Sequence, residues 1–480
     1  MGLNEKSIKG VFWSGLSQGT RQVVQLMISM ILARLLSPDD FGLVAMVEVF
    51  INFFAIFTEM GLSDALIQKQ DINDQHINSV FWLNLLFGGG LAILLFLSAP
   101  LIADFYNKPK LRIIVSILSV NLIISSFGII QSTLLTKKME FRKLAIRDIT
   151  VVSFSGVIAI YFASHGFGVW SLVIRSIIMT LMSTALLWFV SEWRPRFIFS
   201  IASTKDIFRF GSNVASFNIV NFWARNIDNV LIGKFLGSEA LGIYSLAYKL
   251  MLVPLQNVSW IISRVMFPAL SEIQKDLHRV RDAYQKICTV ISLITFPMMF
   301  GLFALAPELV TIVFGKKWEA SIMVIRILSI CGLVQSIHTT SGTILLSQGR
   351  AELQLRFGLW SSAYAAGAIA VGLNWGINGV AITYTTEQIF WILYAQNITN
   401  TVIGLKLRVF LTPLIKTFII SLTMAIGIYV FKYILSYNIS IVSFISYSLV
   451  GCVLYAYLSF KLNYSEIRDL KWSLRQNVSS

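Results

Sequence analysis

Ala33-Arg-Leu-Leu-Ser-Pro-Asp-Asp-Phe-Gly-Leu43 aligns without a gap on Gly233-Lys-Phe-Leu-Gly-Ser-Glu-Ala-Leu-Gly-Ile243, an offset of 200 residues. Each copy closes one apolar stretch and opens the next. The junctions are separated by an even number of apolar segments, so both halves keep the same orientation. That is a parallel repeat about an axis along a membrane normal. Within the first copy, Ser37-Pro38-Asp39-Asp40 reads as a helix N-cap, a proline at the first helical position and acids in the first turn. Asp39 and Asp40 could instead be the acidic pair of a membrane glycosyltransferase. Ser238-Glu239 repeats the same chemistry in the second half, where an active site has no need of it, and this favours capping.

Outward from these junctions the chain is apolar almost throughout. Of 480 residues, 56% are hydrophobic and 13% charged, and the mean hydropathy is +0.73. Such a composition excludes ordinary soluble packing. The spacing predicts an all-α, polytopic membrane protein of about 14 transmembrane helices: 11–36, 41–60, 77–104, 111–136, 147–165, 167–190, 208–236, 241–262, 284–314, 321–347, 356–373, 377–402, 411–434 and 440–461. Weak separations near 158–175 and 370–380 leave 12 or 13 as alternative counts. The first apolar segment is too long for a signal-peptide core and lacks a small-residue cleavage site, so it is expected to remain as the first span.

The net charge of +15 follows topology. Even-numbered connections carry Lys137, Lys138, Arg142, Lys143 and Arg147, then Arg194, Arg196 and Lys205, then Lys275, Arg279, Arg281 and Lys286, and later Lys406 and Arg408. With the termini included, about 26 Lys/Arg fall on one side and about 5 on the other, which places both termini in the cytoplasm. Nucleic-acid binding is excluded as the reason for the charge, because no basic domain with interleaved aromatics exists. The expected organisation is a six-helix lobe over 1–200, a second over 201–405, two additional spans over 406–462 and a cytoplasmic amphipathic tail over 463–480. In that tail Ile467, Leu470 and Leu474 fall at helical spacing among Arg468, Lys471 and Arg475, which suits anionic headgroups.

Polar residues inside the spans are the functional signal. On the first helix Ser14, Gln18, Arg21 and Gln25 share a face, and on the seventh Asn218, Asn221, Arg225 and Asp228 do the same. At the repeat offset Gln18, Arg21 and Gln25 correspond to Asn218, Asn221 and Arg225. A central arginine costs about 2.5–3.5 kcal/mol on insertion scales, so such stripes face protein or a water-filled cavity. Arg175, Lys249 and Arg326 are further basic residues within spans. Glu48, Asp228 and Glu387 are the acidic ones, and candidates for coupling to H+ or Na+, with helix–helix hydrogen bonding the plainer reading of each. A surplus of arginine and lysine suits an anionic ligand, because the guanidinium fork matches phosphate oxygens.

Pro254 and Pro297 lie inside spans and permit kinks. Gly15-Leu-Ser-Gln-Gly19 and Gly88-Gly-Gly90 suit close packing. Cys288, Cys331 and Cys452 have no metal or redox spacing. His338 reads as a packed neutral histidine. No Walker loop or hydrolytic constellation is present, so no catalytic residue, metal site or cofactor is expected.

Ile31-Leu-Ala-Arg-Leu-Leu-Ser-Pro-Asp-Asp-Phe-Gly-Leu-Val-Ala-Met46, Glu59-Met-Gly-Leu-Ser-Asp-Ala-Leu-Ile-Gln68 and Asp228-Asn-Val-Leu-Ile-Gly-Lys-Phe-Leu-Gly-Ser-Glu-Ala-Leu-Gly-Ile-Tyr244 resemble the polysaccharide-transporter family of the multidrug, oligosaccharidyl-lipid and polysaccharide exporter superfamily. Arg264-Val-Met-Phe-Pro-Ala-Leu-Ser271 and Phe314-Gly-Lys-Lys-Trp318 extend the resemblance, which is to the colanic-acid and teichuronic-acid exporter type. It implies two six-helix lobes around a central cavity, alternating access, and a lipid-linked oligosaccharide on undecaprenyl pyrophosphate as substrate in the cell inner membrane. Membrane lipids and the polysaccharide polymerase or chain-length machinery are the partners it suggests. Three rivals stay open: a cation-coupled multidrug exporter, a membrane polysaccharide polymerase or ligase, and a scaffold without transport. The basic surplus, the short outer connections and the costly polar stripes count against them in turn.

Overall fold

A computed structural model describes residues 3–69, 71–435 and 439–462. The expected tail helix lies outside these residues, as do the side chains of Ser14 and Asn221. Among the described residues there is helix and no strand: α1 (Leu3–Leu35), α2 (Pro38–Glu59), α3 (Leu62–Gln68), α4 (Asp74–Tyr106), α5 (Lys110–Leu118), α6 (Val120–Lys137), α7 (Phe141–Ser164), α8 (Val169–Val190), α9 (Ile201–Pro254), α10 (Trp260–Glu272), α11 (Leu277–Leu309), α12 (Ser321–Ser347), α13 (Ala351–Gly372), α14 (Gly376–Val402), α15 (Leu407–Leu435) and α16 (Ile441–Leu462). Each expected span coincides with one of these helices, with α5 and α6 together forming the fourth and α9 supplying both the seventh and the eighth. By length and composition, 11 described segments can cross a membrane. One of these, Glu352–Val402, contains both α13 and α14, while α1 and the part of α9 before Arg225 fall outside the set, so Arg225 and Asp228 lie within a span and Asn218 and Asn221 do not.

The distribution of side chains is that of a protein dissolved in lipid. Leu86, Leu97, Leu101, Phe390 and Ile434 are exposed, whereas Asn78, Asn84, Gln131, Thr399 and Asn400 are buried. Such an apolar surface in water is an aggregation site, and in a bilayer it is the solvated face.

The chain forms two compact units, Met1–Gly242 and Ile243–Ser480. In the first, the expected cap is present: Ser37 Oγ accepts from the Asp40 N–H at 3.3 Å, Asp40 Oδ2 accepts from the Ser37 N–H at 3.0 Å, and Pro38 opens α2. The second copy of the junction behaves differently. Gly237 (φ 88°) breaks α9 in the left-handed region that glycine alone enters freely, and the Ser238 hydroxyl donates to Asp39 Oδ1 instead of capping its own helix. The two copies pack on each other. A Cβ built on Gly42 would stand 1.7 Å from the Ser238 carbonyl oxygen, and one on Gly242 would stand 1.9 Å from that of Pro38. Because 42 and 242, like 38 and 238, are equivalent at the repeat offset, the contact is reciprocal.

Two elements were absent from the sequence reading. Short α3 buries Leu62, Ala65 and Leu66 against Ile77, Val80, Phe81 and Ile130, and the Lys137 ammonium donates to its Leu66 carbonyl at 2.7 Å and to that of Lys69. The segment before α9 is strapped to α4: Trp82 Nε1 donates to the Arg196 carbonyl at 2.9 Å, the Arg196 N–H to Asn78 Oδ1 at 2.6 Å, and the Ser200 N–H to Ser79 Oγ at 2.9 Å. In the second unit Pro254 is followed by a π-helical turn, Leu255–Ser259, before α10, a local widening of the helix of the kind that recurs at functional sites. Pro297 lies within a continuous α11.

Candidate functional site

In the first unit α1 packs along α7 in parallel, and Ile28 fills the space left by Gly156. Two turns before Ile28, Arg21 Nη1 lies 3.8 Å from Asp148 Oδ2 on α7, and Asp148 is also held by Arg147 at 2.5 Å. Asp148 is seven residues into α7, about 10 Å from its first residue at 1.5 Å per residue, and Arg21 is within one turn of the midpoint of α1, so the pair sits nearer the middle of the two helices than their ends. The Arg21 side chain keeps 43% of its surface exposed, which leaves part of the guanidinium open to a ligand. Gln18 is half-buried and Gln25 exposed on the same helix. Gly15 and Gly19 have nothing within 4 Å of an added Cβ, so the close packing expected of that pattern is not present there. Gly88 does pack closely, against Leu122 and Ser126.

On α9, Asn218 and Arg225 are exposed while Asp228 is buried and accepts from the Asn229 N–H at 2.8 Å. Asn221 is on the same helix face, with its side chain outside the described residues. Phe222 shares that face and touches Phe53 of α2 at 5.8 Å between ring centroids, with Trp223 at 5.0 Å. Deeper in the unit, Glu48 of α2 is exposed and lies within electrostatic reach of Arg175 on α8. Arg175 Nε is buried with no hydrogen-bond partner among the described residues.

The second unit holds Lys249, Arg326 and Glu387. Lys249 is exposed on α9. Glu387 Oε2 accepts from Gln388 Nε2 at 2.9 Å, and its Oε1 is buried without a described partner. Gln335 of α12 bridges to this group, donating toward Tyr384 OH at 3.1 Å and Gln388 Oε1 at 3.3 Å. Glu387 is thus the end of a four-residue polar network rather than an isolated charge. Arg326 lies 5.9 Å from the Phe303 ring centre, and its Nε is buried and unpartnered among the described residues. Near it the Lys432 ammonium donates at 2.7 Å to both Glu308 Oε2 and the Ala304 carbonyl. This pair joins α15 to α11.

The structure therefore sorts the predicted residues. Arg21 has a carboxylate partner that the sequence reading missed, Glu48 and Arg175 are neighbours, and Glu387 is drawn into an amide and phenol network. Asp148, Gln335, Tyr384, Gln388 and Glu308 were not anticipated. For Asp148 a signal existed in its place next to Arg147 at the start of a span. For the others only the three-dimensional packing identifies them. Cys288 and Cys331 are buried free thiols and Cys452 an exposed one. Among the described residues no group of three or more His, Cys, Asp or Glu is placed to hold a metal ion. His338 Nδ1 is buried without a described partner.

Teichuronic acid biosynthesis protein TuaB of Bacillus subtilis is 30% identical over 442 residues, covering 90% of each chain. Succinoglycan biosynthesis transport protein ExoT of Rhizobium meliloti is 30% identical over 423 residues, 87% of this chain and 84% of its own. Lipopolysaccharide biosynthesis protein WzxC of Escherichia coli is 28% identical over 430 residues, 88% and 87%. Among solved structures, the lipid II flippase MurJ in an inward closed conformation superposes with a TM-score of 0.79 at 16% identity, over 95% of this chain and all of that one. An inward-facing multidrug resistance transporter of the MATE family gives 0.62 at 14% identity, over 80% and 95%. These structural likenesses establish the fold. Residues 31–323 match the family described as polysaccharide biosynthesis protein, and the chain belongs to that family.

Proposed function

We propose that the protein is a flippase that moves an undecaprenyl-pyrophosphate-linked oligosaccharide across the cytoplasmic membrane by alternating access, for assembly of a surface polysaccharide. It is supported by relatives that align over most of the chain, one of them named as a transport protein, and by a fold shared with a lipid II flippase. The observation that carries the chemistry is the pair of arginines within spans whose Nε atoms are buried without a described partner, Arg175 and Arg326, together with the accessible Arg21 and Arg225. Buried cationic nitrogens without acceptors are costly, and a pyrophosphate supplies acceptors of matching geometry.

In this reading Arg21, Arg175, Arg225, Lys249 and Arg326 draw the pyrophosphate, and Gln18, Gln25, Asn218 and Asn221 hydrogen-bond the sugar. Glu48, Asp228 and Glu387 are the candidates for coupling an ion to the cycle. The two lobes are residues 1–200 and 201–405, with both termini cytoplasmic in an inner membrane. A multidrug exporter shares the fold, but a basic set of intramembrane residues repels the cationic drugs that such transporters take.

The test is surface polysaccharide in a strain lacking the gene, complemented with wild type, Arg21→Ala or Arg225→Ala, with membrane protein level checked by blot. Accumulation of lipid-linked repeat units on the cytoplasmic side in the variants supports the proposal. An unchanged glycan in the deletion strain, with altered drug resistance, removes it.

A further inference from the structure

The helix pair α10 and α11 leaves a cavity of about 360 Å³ lined by Ile262, Met266, Ala269, Leu270, Ile273, Ala283 and Ile287. Among the described residues every lining side chain is apolar. On α10 the lining residues recur at i, i+4, i+7 and i+8, continuing to Ile273 just past the helix end, and on α11 Ala283 and Ile287 are one turn apart. Two helix faces therefore run beside each other without filling the space between them. The volume is in the range of a ligand site, far above that of a packing defect.

The mouth of this groove is basic. Arg279 and Lys286, seven residues apart, share the α11 face with Ala283 and bracket it, and Lys275 stands in the connection from α10. All three side chains are exposed. The acids nearby keep their charge: Asp276 Oδ1 accepts the His278 and Arg279 N–H groups, and Asp282 lies 3.2 Å from His278. Glu272 is the remaining carboxylate. Arg281 points elsewhere, donating to the Leu277 and Gly404 carbonyls.

We infer that this groove is a binding site for an anionic phospholipid, with one acyl chain between α10 and α11 and the phosphate on Arg279, Lys286 and Lys275. An apolar slot beside a segment in which Lys275, Arg279, Arg281 and Lys286 outnumber Glu272, Asp276 and Asp282 by one charge fits that molecule better than a zwitterionic lipid. The inference rests on the orientation proposed above, which puts the connection between α10 and α11 at the cytoplasmic leaflet. The bound lipid would brace α10 just beyond the π-helical turn that follows Pro254.

The experiment is native mass spectrometry and thermal unfolding of purified full-length protein in detergent, titrated with phosphatidylglycerol, phosphatidylcholine or undecaprenyl phosphate. Wild type retains phosphatidylglycerol in preference to phosphatidylcholine. Arg279→Gln with Lys286→Gln reduces that preference about 30-fold, the factor for neutralising two basic residues near an anionic headgroup. Ala283→Trp, which fills the slot, loses the bound lipid while keeping the helical circular dichroism of wild type. If Ala283→Trp does not fold, Ala269→Leu provides the same obstruction from α10. Equal retention of phosphatidylglycerol by wild type and the folded filled variant overturns the inference, as does undecaprenyl phosphate displacing phosphatidylglycerol from wild type at far lower concentration. Transport plays no part in this readout, so its failure leaves the flippase proposal to be judged on polysaccharide export alone.

Discussion

Replacing Gly42 or Gly242 by alanine separates two opposite consequences of the same mutation. A glycine inside a helix costs roughly 0.5–1 kcal/mol relative to alanine, so where space allows the change stabilises. Gly89, on α4, is such a position, with nothing within 4 Å of an added Cβ. At Gly42 the added carbon would stand 1.7 Å from the Ser238 carbonyl oxygen, and at Gly242 1.9 Å from that of Pro38. The obstacle in both cases is backbone, so no rotamer change relieves it and the junctions must separate. Overpacking a tight interior costs about 1–3 kcal/mol, and a backbone obstacle places these variants at the upper end. After the local helix gain is subtracted, a net loss of about 2 kcal/mol is expected for each. Because the Ser238 hydroxyl to Asp39 bond spans the same contact, Ser238→Ala in the Gly42→Ala background should cost less than it does in wild type. The assay is reversible unfolding in mixed micelles followed by tryptophan fluorescence, with Gly89→Ala as control. If Gly42→Ala is no less stable than Gly89→Ala, the reciprocal packing of the two junctions is refuted.

Other outcomes follow from single observations. Glu308→Gln strands the Lys432 ammonium, whose side chain is only 16% exposed, and should cost about 3 kcal/mol, while Glu308→Gln with Lys432→Met restores most of the stability. A double-mutant cycle with a coupling below about 0.5 kcal/mol would contradict that pairing. Trp82→Ala removes the hydrogen bond to the Arg196 carbonyl and the stacked contact with Phe197 at 4.9 Å, and should raise hydrogen exchange in residues 194–200 without changing it in α6. Gln335→Leu disconnects Tyr384 and Gln388 from α12, and an export defect in that variant at normal protein level would tie the Glu387 network to transport, whereas normal export would make the network structural.

The parts of the architecture that were legible in the sequence are those governed by solvent and local chemistry. A bilayer demands runs of about 20 apolar residues, so the long apolar helices were visible. The Ser37-Pro38-Asp39-Asp40 cap was visible because its partners are within four residues. Partners across helices were not: Lys432 and Glu308 are 124 residues apart, and nothing in either segment names the other. Arg21 was read as part of a polar stripe because periodicity reports a face, whereas the approach of α7 that brings Asp148 to it is a matter of packing. The Gly15 and Gly19 pattern is a case where spacing allowed close contact and the neighbouring helix did not supply it. The matching junctions at 33–43 and 233–243 carried more than a repeat, since their glycines are the points where the two copies touch.

The most direct test of the central claim follows the substrate itself. Spheroplasts of the deletion strain, carrying wild type or Arg21→Ala with Arg225→Ala at equal membrane levels, are labelled in their lipid-linked oligosaccharide and treated outside with a membrane-impermeant glycosidase. The account predicts that wild type exposes the labelled oligosaccharide to the enzyme and that the double variant keeps it protected. Equal exposure with wild type, the double variant and no transporter at all would contradict it.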